Sequence, residues 1–591
     1  MKLKISYLIL FTLIVNILSA NATIRYVSKT GTSTPPYTSW ESAADSIQKC
    51  INICVDGDTI YVANGVYKEN LVINTAISFI GSSMDSTVID GRGLGIYTIS
   101  TNTYNSYGSI ENFNIYGKGQ NADVAWCFSL QNDSFKIINC QLSQAALGIG
   151  ADANIFAENL VLKNLRVRGF SLFGDNFNII NNCLLFFDGE YAKGIDIGFT
   201  PNGIYELNNN ILLNTSTNHV NDLGIYCGFP KKVYISNNLI SGFGVNIYID
   251  GVEDTIFIKN NLLTNSGAGI TADRISIANN VVLINNNIGI DNHSVSNKFN
   301  YNIYWKNNHN FSTITTYGDS DKVADPMFVK DTIPTVDGKY DFHLQAFSPG
   351  IDKGDPSILD VDGSRSDIGM YGGPFGETYT YQDLAPLAPR NLTALVDSNT
   401  ILVKWNKNTE ADTSFYKVYR DTVSGFTIDS TKLVSSSADT FFIQPNPHIN
   451  TRYVYKVSCV DNQGNESQPS AELVVNITSV STNDYPMTIS DYVLYQNYPN
   501  PFNPSTKIGY QLKEKSYVKL IVYDIKGELV SVLVNKEQSA GYYEVEFVGN
   551  GLPSIPNTPG LASGIYLYRI EIIGEGKIPI YSEMKKMLLI K

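Results

Sequence analysis

The feature that most constrains the fold is a short phrase, asparagine followed by apolar residues, that recurs through the middle of the chain. It recurs at Asn139, Asn159, Asn182, Asn210, Asn238, Asn261, Asn280 and Asn302. Successive instances are 20, 23, 28, 28, 23, 19 and 22 residues apart. A period of roughly 20–30 residues is typical of solenoids, in which each repeat packs on its neighbours. The phrase therefore predicts a stacked repeat instead of a conventional globular core.

A second phrase, usually Gly-Ile or a variant of it, lies between the asparagine phrases. It begins at Gly148, Ser171, Gly194, Gly224, Asn246, Gly269 and Gly289. Each coil should therefore contain at least two strands, on different walls of the solenoid. Equivalent side chains of adjacent coils would lie about 4.8 Å apart, so stacked asparagines can form amide ladders. We interpret the asparagine phrase as structural in preference to ligand-binding.

The segment before the repeats is predicted to be a short helix followed by strands. Residues 40–54 have helical apolar spacing, and strands are expected at 59–62, 71–73, 77–80 and 88–89. This helix and the following "DGDTIYVANGVYKENLVI" resemble the entry cap and first coil of right-handed parallel β-helices of the pectin-lyase-like superfamily. The resemblance covers about residues 24–375, and we assign 23–375 to this domain. It implies a fold but no single activity, since that superfamily contains lyases, hydrolases, esterases, epimerases and non-enzymes.

A closing cap is predicted over residues 324–373, where "ADPMF", "DFHLQAFSPGIDKGDP" and "DVDGSRSDIGMYGG" resemble the end of many secreted bacterial β-helix proteins. Asp360, Asp362 and Asp367 are spaced somewhat like the ligands of an oxygen-rich calcium loop, although no distal bidentate glutamate follows. Two interpretations stay open. The three residues either bind Ca²⁺ or, as we favour, act as hydrogen-bonded turn carboxylates, with Arg365 as a possible ionic partner.

Two smaller all-β modules are predicted after a linker at residues 376–388. Residues 389–478, with Trp405 in "NTILVKWNKN" and Tyr453 six residues before Cys459, resemble a fibronectin type III domain. A second linker covers 479–492. Residues 493–591 contain "YPNPFNPSTKIGYQL" and "LASGIYLYRI", and resemble the C-terminal sorting domain of type IX secretion substrates in the Bacteroidota. That resemblance implies recognition by the type IX machinery. The predicted fold class is all-β: a right-handed parallel β-helix followed by two β-sandwich domains.

The N-terminus and the composition indicate an exported protein. Residues 1–22 have a basic start, an apolar run and an Ala20-Asn21-Ala22 cleavage motif, as in a secretory signal peptide. We therefore expect a secreted or outer-membrane surface-attached protein, acting as a monomer. The net charge of −13 argues against a nucleic-acid partner, which needs a basic patch. The seven cysteines are interpreted as buried small hydrophobes in preference to a disulfide framework.

Strand alternation on the second phrase predicts one candidate functional surface. Counting its first residue as zero, position one should point into the solenoid, at Ile149, Leu172, Ile195, Ile225, Ile247, Ile270 and Ile290. Outward position two is occupied by Gly150, Phe173, Asp196, Tyr226, Tyr248, Thr271 and Asp291. Outward position four is occupied by Asp152, Asp175, Gly198, Gly228, Asp250, Asp273 and His293. The wall would carry carboxylates around a gap with two tyrosines and two glycines.

Such a wall is suited to a polysaccharide, because tyrosine rings can stack on sugars and glycines leave room for a chain. Asp196, Asp250 and Asp273 are the candidate catalytic carboxylates, and Lys193, Arg166, Arg168 and Arg274 are the nearest bases for a lyase. The candidate substrate-binding residues are Tyr226, Tyr248, Asp152, Asp175, Asp291 and His293. The carboxylates could also bind calcium, or act only as solvated residues that keep the helix soluble.

Two functional hypotheses follow, and a third remains open. A carbohydrate-binding or adhesive surface protein is favoured, because no polygalacturonase or pectate-lyase motif is present in the sequence. The alternative is a polysaccharide lyase or glycoside hydrolase that acts on an acidic glycan along this wall. A purely structural surface-layer protein is the third possibility. The expected partner is a polysaccharide or cell-surface glycan.

Overall fold

The structure is a computed structural model of the 591-residue chain. It describes residues 22–101, 107–119, 125–131, 134–216, 221–273, 276–312, 317–335, 338–396, 400–477, 492–497, 500, 502–549, 561–573 and 579–590. The chain forms two compact units, Met1–Asp383 and Leu384–Lys591. The division falls within the predicted linker at 376–388, whereas almost all of the predicted signal peptide lies outside the described residues.

The first unit is a parallel β-solenoid of about 11 turns, as the repeats predict. Its coils form three parallel sheets, which we name walls A, B and C. Four long strands turn a corner and contribute to two walls: Gln141–Ala151 and Val161–Leu172 to B and C, and Lys193–Asn208 and Leu223–Ser236 to C and A. Successive side chains of each extended strand point alternately inward and outward, and the parallel pairing stacks equivalent side chains of adjacent coils.

The remaining strands each belong to one wall. Wall A contains Ile24–Val27, Thr59–Val62, Ser78–Gly81, Tyr107–Glu111, Ser134–Ile138, Asn154–Glu158, Phe177–Asn181, Thr255–Lys259, Ser276–Asn279 and Lys298–Asn300. Wall B contains Gly65–Tyr67, Thr87–Asp90, Asn114–Tyr116, Leu184–Phe187, Ile211–Asn214, Leu239–Ser241, Leu262–Thr264, Val282–Ile284, Ile303–Trp305 and Lys322–Val323. Wall C contains Leu71–Ile73, Tyr97–Thr101, Trp126–Leu130, Val245–Ile249, Ala268–Ala272, Ile288–Asn292 and His309–Phe311.

The helix at the entry of the solenoid is shorter than predicted, since it spans Ile47–Ile51 within the predicted 40–54. Ser46 precedes it as the N-cap, and its side chain accepts a hydrogen bond from the Lys49 backbone. Glu69 lies in a later coil and accepts hydrogen bonds from the backbone amides of Ile47 and Gln48. The helix N-terminus is therefore stabilised by a carboxylate, as its dipole favours.

The recurrent asparagine phrase contains two structural columns, which the sequence analysis had merged into one. The first column has a left-handed backbone, with φ from 49° to 59°, at Asn139, Asn159, Asn182, Asn209, Asn237, Asn260, Asn280 and Tyr301. Asparagine tolerates this conformation better than most residues, so it suits the corner between walls A and B. In this column the repeat lengths become 20, 23, 27, 28, 23, 20 and 21 residues.

The second column points inward and forms a buried amide ladder. The Asn238 Oδ1 accepts hydrogen bonds from the backbone N–H and Nδ2 of Asn210, at 2.9 and 3.0 Å. Asn261 Oδ1 receives the same pair of bonds from Asn238, both at 2.9 Å. All three side chains are fully buried, and each ladder bond joins neighbouring coils. The prediction of structural asparagine ladders is therefore confirmed, in this second column.

Val281 interrupts this column, which resumes at Asn302 and ends on a carboxylate in the last coils. Asn302 donates from its backbone N–H and Nδ2 to the Asp321 Oδ1, at 2.8 and 3.2 Å. Burial raises the pKa of Asp321. Asp321 therefore occupies the place that an asparagine takes in the preceding ladder.

The segment predicted to close the solenoid lies along its side. It contains an antiparallel pair, Phe328–Lys330 with Asp341–Leu344, and its apolar residues pack on outward residues of wall B such as Leu239 and Leu262. The Asn237 Nδ2 donates to the carbonyl of Gly372, several coils before the end of the repeat. The segment therefore runs back over the side of the later coils, which the sequence did not indicate.

The described part of the second unit contains four antiparallel sheets, with two larger hydrophobic clusters and a small one at Tyr419, Phe426 and Val454. The first pair of sheets consists of Thr393–Val396, Thr400–Lys404 and Phe441–Pro445, and of Thr413–Asp421, Leu433–Ser437, Thr451–Asp461 and Leu473–Ile477. The second pair consists of Val493–Leu494, Ser505–Leu512 and Gly541–Val548, and of Ser516–Tyr523, Leu529–Gln538, Gly564–Ile573 and Pro579–Leu589. Each pair shares one cluster, around Trp405 and Ile508 respectively. The Tyr453 hydroxyl accepts a hydrogen bond from the His448 backbone, as a corner tyrosine would.

The cysteines are free thiols, and the prediction of buried small hydrophobes holds for six of the seven. Cys54 is the exception, because it is only partly buried. Within the described residues, no helix is long and apolar enough to cross a membrane.

Candidate functional site

Wall C carries the predicted outward columns in five consecutive coils. The position-one isoleucines from Ile195 to Ile290 are paired in register and fully buried, which confirms that they point inward. In this register, the residues stacked at position two of successive coils are Asp196, Tyr226, Tyr248, Thr271 and Asp291. The residues stacked at position four are Gly198, Gly228, Asp250, Asp273 and His293. The predicted juxtaposition of tyrosines, glycines and carboxylates is therefore present.

One coil was assigned to the wrong register. Ser171 pairs with Asp196 and with Gly150, so the equivalent phrase begins at Gly169 and not at Ser171. Phe173 therefore belongs to position four, and Asp175 lies beyond the column. The error arose because Leu172 is indeed buried, but it occupies the next inward position and pairs with Ile197.

Asp175 and Asp152 lie at the edge of the candidate site. The Asp175 carboxylate accepts hydrogen bonds from the backbone and Nδ2 of Asn202, at 2.9 and 2.8 Å. These bonds lower the pKa of Asp175. The exposed Asp152 occupies its predicted column and accepts a hydrogen bond from the Asn176 Nδ2 at 3.1 Å. Both carboxylates therefore accept hydrogen bonds from an asparagine of the next coil.

Asp196 lies between two cationic side chains. Its carboxylate is 3.0 Å from the Arg168 Nε and 3.3 Å from the Lys193 Nζ, and only 8% of its side chain is exposed. Both bases were identified in the sequence as neighbours of the wall, whereas Arg274 lies outside the described residues. Because Asp196 is buried and ion-paired on both sides, it is better placed to position these cations than to exchange protons with a substrate.

Two stacked tyrosines follow Asp196 along the wall. The rings of Tyr226 and Tyr248 are 5.8 Å apart between centroids and nearly parallel, with 14° between their planes. The Lys193 Nζ lies 4.0 Å from the Tyr226 centroid. Lys193 belongs to the preceding coil and Tyr248 to the following one, so they cover opposite faces of Tyr226. The Tyr226 ring is therefore available to a ligand mainly through its edge and its hydroxyl.

Each tyrosine hydroxyl is directed to a carboxylate one coil further along. The Tyr226 hydroxyl donates to the Asp250 Oδ2 at 2.9 Å, and the Tyr248 hydroxyl to the Asp273 Oδ2 at 3.4 Å. Burial, together with these acidic neighbours, raises the pKa of both tyrosines. Both hydroxyls therefore remain protonated donors at neutral pH.

His293 lies between two carboxylates at the end of the wall. Its Nδ1 contacts the Asp273 Oδ1, and its Nε2 is 3.2 Å from the Asp291 Oδ1. The hydrogen bond with Asp273 and the charge of Asp291 raise the pKa of His293. A protonated imidazole can therefore offset the repulsion between carboxylates of adjacent coils.

An open hollow of about 310 Å³ lies where the position-four column has two glycines. Gly198 and Gly228 form its floor, and its other lining residues are Phe199, Tyr226, Phe229 and Asp250. Since Phe173 and Asp250 occupy position four before and after the glycines, their side chains bound the gap in that column. The hollow combines apolar rings with a few polar groups, as small-ligand sites commonly do.

The phenylalanines of the hollow were missed by the sequence analysis. Phe199 and Phe229 follow position four, where strict alternation predicts an inward side chain. Their rings instead stack outside the solenoid, 5.4 Å apart and 17° from parallel, and Phe199 is 74% exposed. The chain leaves regular alternation here, immediately before the pairing register shifts between Thr200 and Ile204.

The three aspartates of the possible calcium loop are engaged as turn carboxylates. Asp360 accepts a hydrogen bond from the Asp367 backbone at 3.0 Å, and Asp362 accepts one from the Ser364 backbone at 2.9 Å. Among the described residues, these aspartates do not form a close cluster of metal-ligand atoms. The geometry favours the turn interpretation, and calcium there remains a prediction.

The suggested partner of these aspartates is bonded elsewhere. The Arg365 Nε donates to the Gly354 carbonyl at 2.6 Å, which disagrees with the suggested pairing. Asp367 instead accepts a hydrogen bond from the Asp352 backbone at 2.9 Å and one from the Tyr381 hydroxyl at 3.0 Å. Burial raises the pKa of Asp367 to about 6.

Comparisons with known proteins give partial matches. No protein-family model matches the chain. An amylopullulanase from Thermoanaerobacterium saccharolyticum is 34% identical over 94 residues, which are 16% of this chain and 7% of that protein. The chain thus matches only a small part of that curated relative.

The chain resembles solved structures over only part of its length and with low TM-scores. A Fn3-like protein from Clostridium thermocellum is 30% identical over 17% of this chain and 99% of that chain, with a TM-score of 0.14. A chitinase from Bacillus thuringiensis is 16% identical over 29% of this chain and 28% of that chain, also with a TM-score of 0.14. These likenesses carry no argument about the solenoid or its site.

Proposed function

We propose that this chain is an extracellular, carbohydrate-related protein that binds a glycan in the hollow of wall C. The observation that carries the proposal is the exposed Phe199 ring beside a glycine floor and the Asp250 carboxylate. The negative face of an aromatic ring attracts the C–H groups of a sugar face, and a carboxylate accepts bonds from sugar hydroxyls. The local match to an amylopullulanase, a polysaccharide-degrading enzyme by name, supports a carbohydrate context.

Binding without catalysis is favoured by the partners of the candidate catalytic residues. Asp196 is ion-paired with two cations, Asp250 accepts a bond from Tyr226, and Asp273 contacts both His293 and Tyr248. A general acid or base must reach the proton that it transfers, so Asp196 and Asp273, whose two carboxylate oxygens are both engaged with neighbours, are less suited to that role. A polysaccharide lyase or glycoside hydrolase remains the alternative.

The proposed route to the cell surface depends on the two C-terminal modules. We assign residues 389–478 to a fibronectin type III domain and 493–591 to a type IX sorting domain, on the motifs that include Trp405, Tyr453 and "YPNPFNPST". The paired antiparallel sheets of each module support this assignment. In a Bacteroidota host, deletion of 493–591 should retain the protein in the periplasm. Normal appearance of the truncated protein outside the cell would contradict the route.

A filled hollow tests the binding function. Gly198 has no positive φ, and a Cβ built on it would meet its nearest atom, the Leu172 carbonyl oxygen, at 3.4 Å, so a larger side chain can be accommodated. Wild type, Gly198→Ala and Gly198→Leu should be compared on a panel of polysaccharides by affinity electrophoresis. We expect wild type to bind, Gly198→Ala to bind somewhat less well, and Gly198→Leu to lose binding without a lower melting temperature.

The same samples distinguish binding from catalysis. Incubation of each bound polysaccharide should release neither reducing ends nor unsaturated products. Turnover that disappears in both Asp250→Ala and Asp273→Ala would establish the enzyme alternative. Failure of wild type to bind any glycan would overturn the proposed function, and unchanged binding by Gly198→Leu would move the site elsewhere.

A further inference from the structure

We infer that the hollow of wall C selects an uncharged sugar unit and rejects uronates. This inference rests on the proposed function and adds the chemical class of the ligand. An uncharged ligand differs from the acidic glycan that we expect if the protein is a polysaccharide lyase or glycoside hydrolase. Three features of the hollow carry it: its charge, its length and the orientation of its aromatic rings.

The charge around the hollow disfavours an acidic ligand. Among the described lining residues, Asp250 is the one formally charged side chain, and it is exposed. Within the described part of wall C, the cationic side chains Arg168 and Lys193 both lie within 3.3 Å of Asp196. Lys193 also lies against the Tyr226 ring, 4.0 Å from its centroid. A uronate in the hollow would therefore meet a carboxylate, with no dedicated counter-charge among the described lining residues.

The next coils add negative charge on the same side. Asp273 follows Asp250 in position four, and Asp291 lies two coils beyond Tyr248 in position two. His293 contacts both of these aspartates and can neutralise part of their charge. An anionic chain that extended from the hollow toward these coils would pass Asp250 first, and like charges repel at this range.

The length of the hollow limits the ligand to a short unit. Phe173 and Asp250 bound the two glycines of position four, so the gap spans three coil spacings, roughly 14 Å at about 4.8 Å per strand. That distance accommodates one or two sugar rings. The site therefore resembles a short subsite more than a groove for a long chain.

The aromatic rings define the stacking surface. A Cβ built on Gly251 would lie 2.4 Å from the Phe229 Cδ2, so the Gly251 backbone covers that ring closely. Phe229 in turn stacks on Phe199, whose ring remains largely exposed. Phe199 can thus receive a sugar face, while Asp250, which uses Oδ2 for Tyr226, can accept a sugar hydroxyl through Oδ1. This pairing of an apolar face with a hydroxyl acceptor fits a neutral hexose.

The test uses pairs of ligands with the same sugar backbone, in which the carboxylate at C6 is replaced by a neutral hydroxymethyl group. The full-length protein without its signal peptide is titrated calorimetrically with oligogalacturonates and with the same oligosaccharides after reduction of their carboxyl groups. Neutral gluco-, manno- and xylo-oligosaccharides of two to six units complete the panel. We expect the tightest ligand to be neutral, and each reduced oligosaccharide to bind at least tenfold more tightly than its acidic parent. Affinity should rise less than threefold beyond two units.

Asp250→Asn provides the matched variant, because it keeps the shape and removes the charge. The preference for the reduced ligand should fall below threefold in this variant. In wild type, added salt should strengthen the binding of the acidic ligand by screening the repulsion. Tighter binding of the acidic parent, with or without added Ca²⁺, would overturn the inference, as would a preference unaffected by Asp250→Asn. Absence of all glycan binding would instead overturn the proposed function on which it rests.

Discussion

The inward asparagine column and the outward columns of wall C are built by the same stacking of coils, yet they differ in what stacking does to polar groups. Inside, Asn210, Asn238 and Asn261 repeat one side chain, and the oxygens of Asn238 and Asn261 each receive two bonds from the preceding coil. Outside, Asp250 and Asp273 follow one another, and each takes a tyrosine hydroxyl as donor. Amides can repeat indefinitely because each both donates and accepts, whereas carboxylates need interleaved donors.

The two regions also differ in their expected roles: the inward column stabilises the fold, and the outward columns form the candidate site. A buried amide that loses its partner has no water to replace it, so the inward column is intolerant of change. The outward columns face solvent, which allows glycines and exposed phenylalanines that contribute little to folding. We therefore expect substitutions in the two regions to affect different measurements.

The largest effect is expected for Asn238→Leu. The change removes the acceptor of two Asn210 bonds and leaves buried backbone groups unpaired, so the free energy of unfolding of the solenoid should fall by at least about 3 kcal/mol. Thermal and denaturant unfolding measure this loss. Asn308→Ala is the control, since its exposed amide bonds to Asn287 and its loss should cost less than about 0.5 kcal/mol. Equal effects of both variants would contradict the distinction between the columns.

A second effect concerns Asp367, which lies in the segment after residue 324 that runs along the side of the solenoid. The free energy of unfolding should depend on pH through this residue. Because the folded pKa of Asp367 is about 6 and its usual value is lower, the proton binds the folded state more tightly. Stability from this group is present at pH 4 and is lost as the pH rises through 6. Asp367→Asn should therefore stabilise the protein by roughly 2 kcal/mol at pH 8 and by little at pH 4.

The matched control for that pH series is Asp362→Asn. Asp362 is exposed, and its bonds to Ser364 lower its pKa, so its contribution has the opposite sign. Its stabilisation is present at neutral pH and disappears as the solution becomes more acidic than its usual pKa. Unfolding curves at several pH values should show opposite trends for the two variants. The same trend in both would show that Asp367 is not the buried, destabilised carboxylate described here.

A moderate effect on binding is expected for Gly251→Ala. The new methyl group would displace the Phe229 ring and, through it, the Phe199 ring, so glycan affinity should fall several-fold without a large loss of stability. Titration of the variant with the preferred oligosaccharide measures this loss of affinity. An affinity equal to that of wild type would indicate that the ring stack does not set the position of Phe199.

The smallest effect is expected at His293. Its pKa is raised, so its ionic contribution is present below its usual pKa and is lost as the pH rises through the raised value. Because half of the side chain is exposed, the contribution to stability should be below about 0.5 kcal/mol. An NMR titration should show a raised imidazole pKa that falls in Asp273→Asn. An unchanged value in that variant would contradict the contact.

The sequence predicted the solenoid well, because its repeats report directly on coil length. It could not separate the two asparagine columns, since Asn139 and Asn238 stand in the same kind of phrase but occupy a left-handed corner and an inward position respectively. The correct register required strand pairing, as Ser171 and Phe173 show. Phe170 and Leu172 are both buried, so an inward residue is found whether the phrase begins at Gly169 or at Ser171. Alternation alone therefore did not distinguish the two registers.

The candidate site was predicted only in part for a related reason. Alternation placed Tyr226 and Asp250 on the outer wall, but it could not find the outward Phe199, because it assumes that the strand stays regular. The position of the segment after residue 324 was also inaccessible, since it depends on contacts with outward residues of wall B such as Leu239. Local sequence patterns carry no information about such long-range packing.

We propose that the outward hollow binds the glycan while the buried amide column maintains the fold. The most direct measurement is the affinity of Phe199→Ala for the oligosaccharide that wild type binds best, with Tyr107→Ala as a control at an exposed aromatic residue of wall A. We expect at least a 30-fold loss for Phe199→Ala, no loss for Tyr107→Ala, and wild-type melting temperatures for both. Wild-type affinity in Phe199→Ala would show that the hollow is not the glycan site.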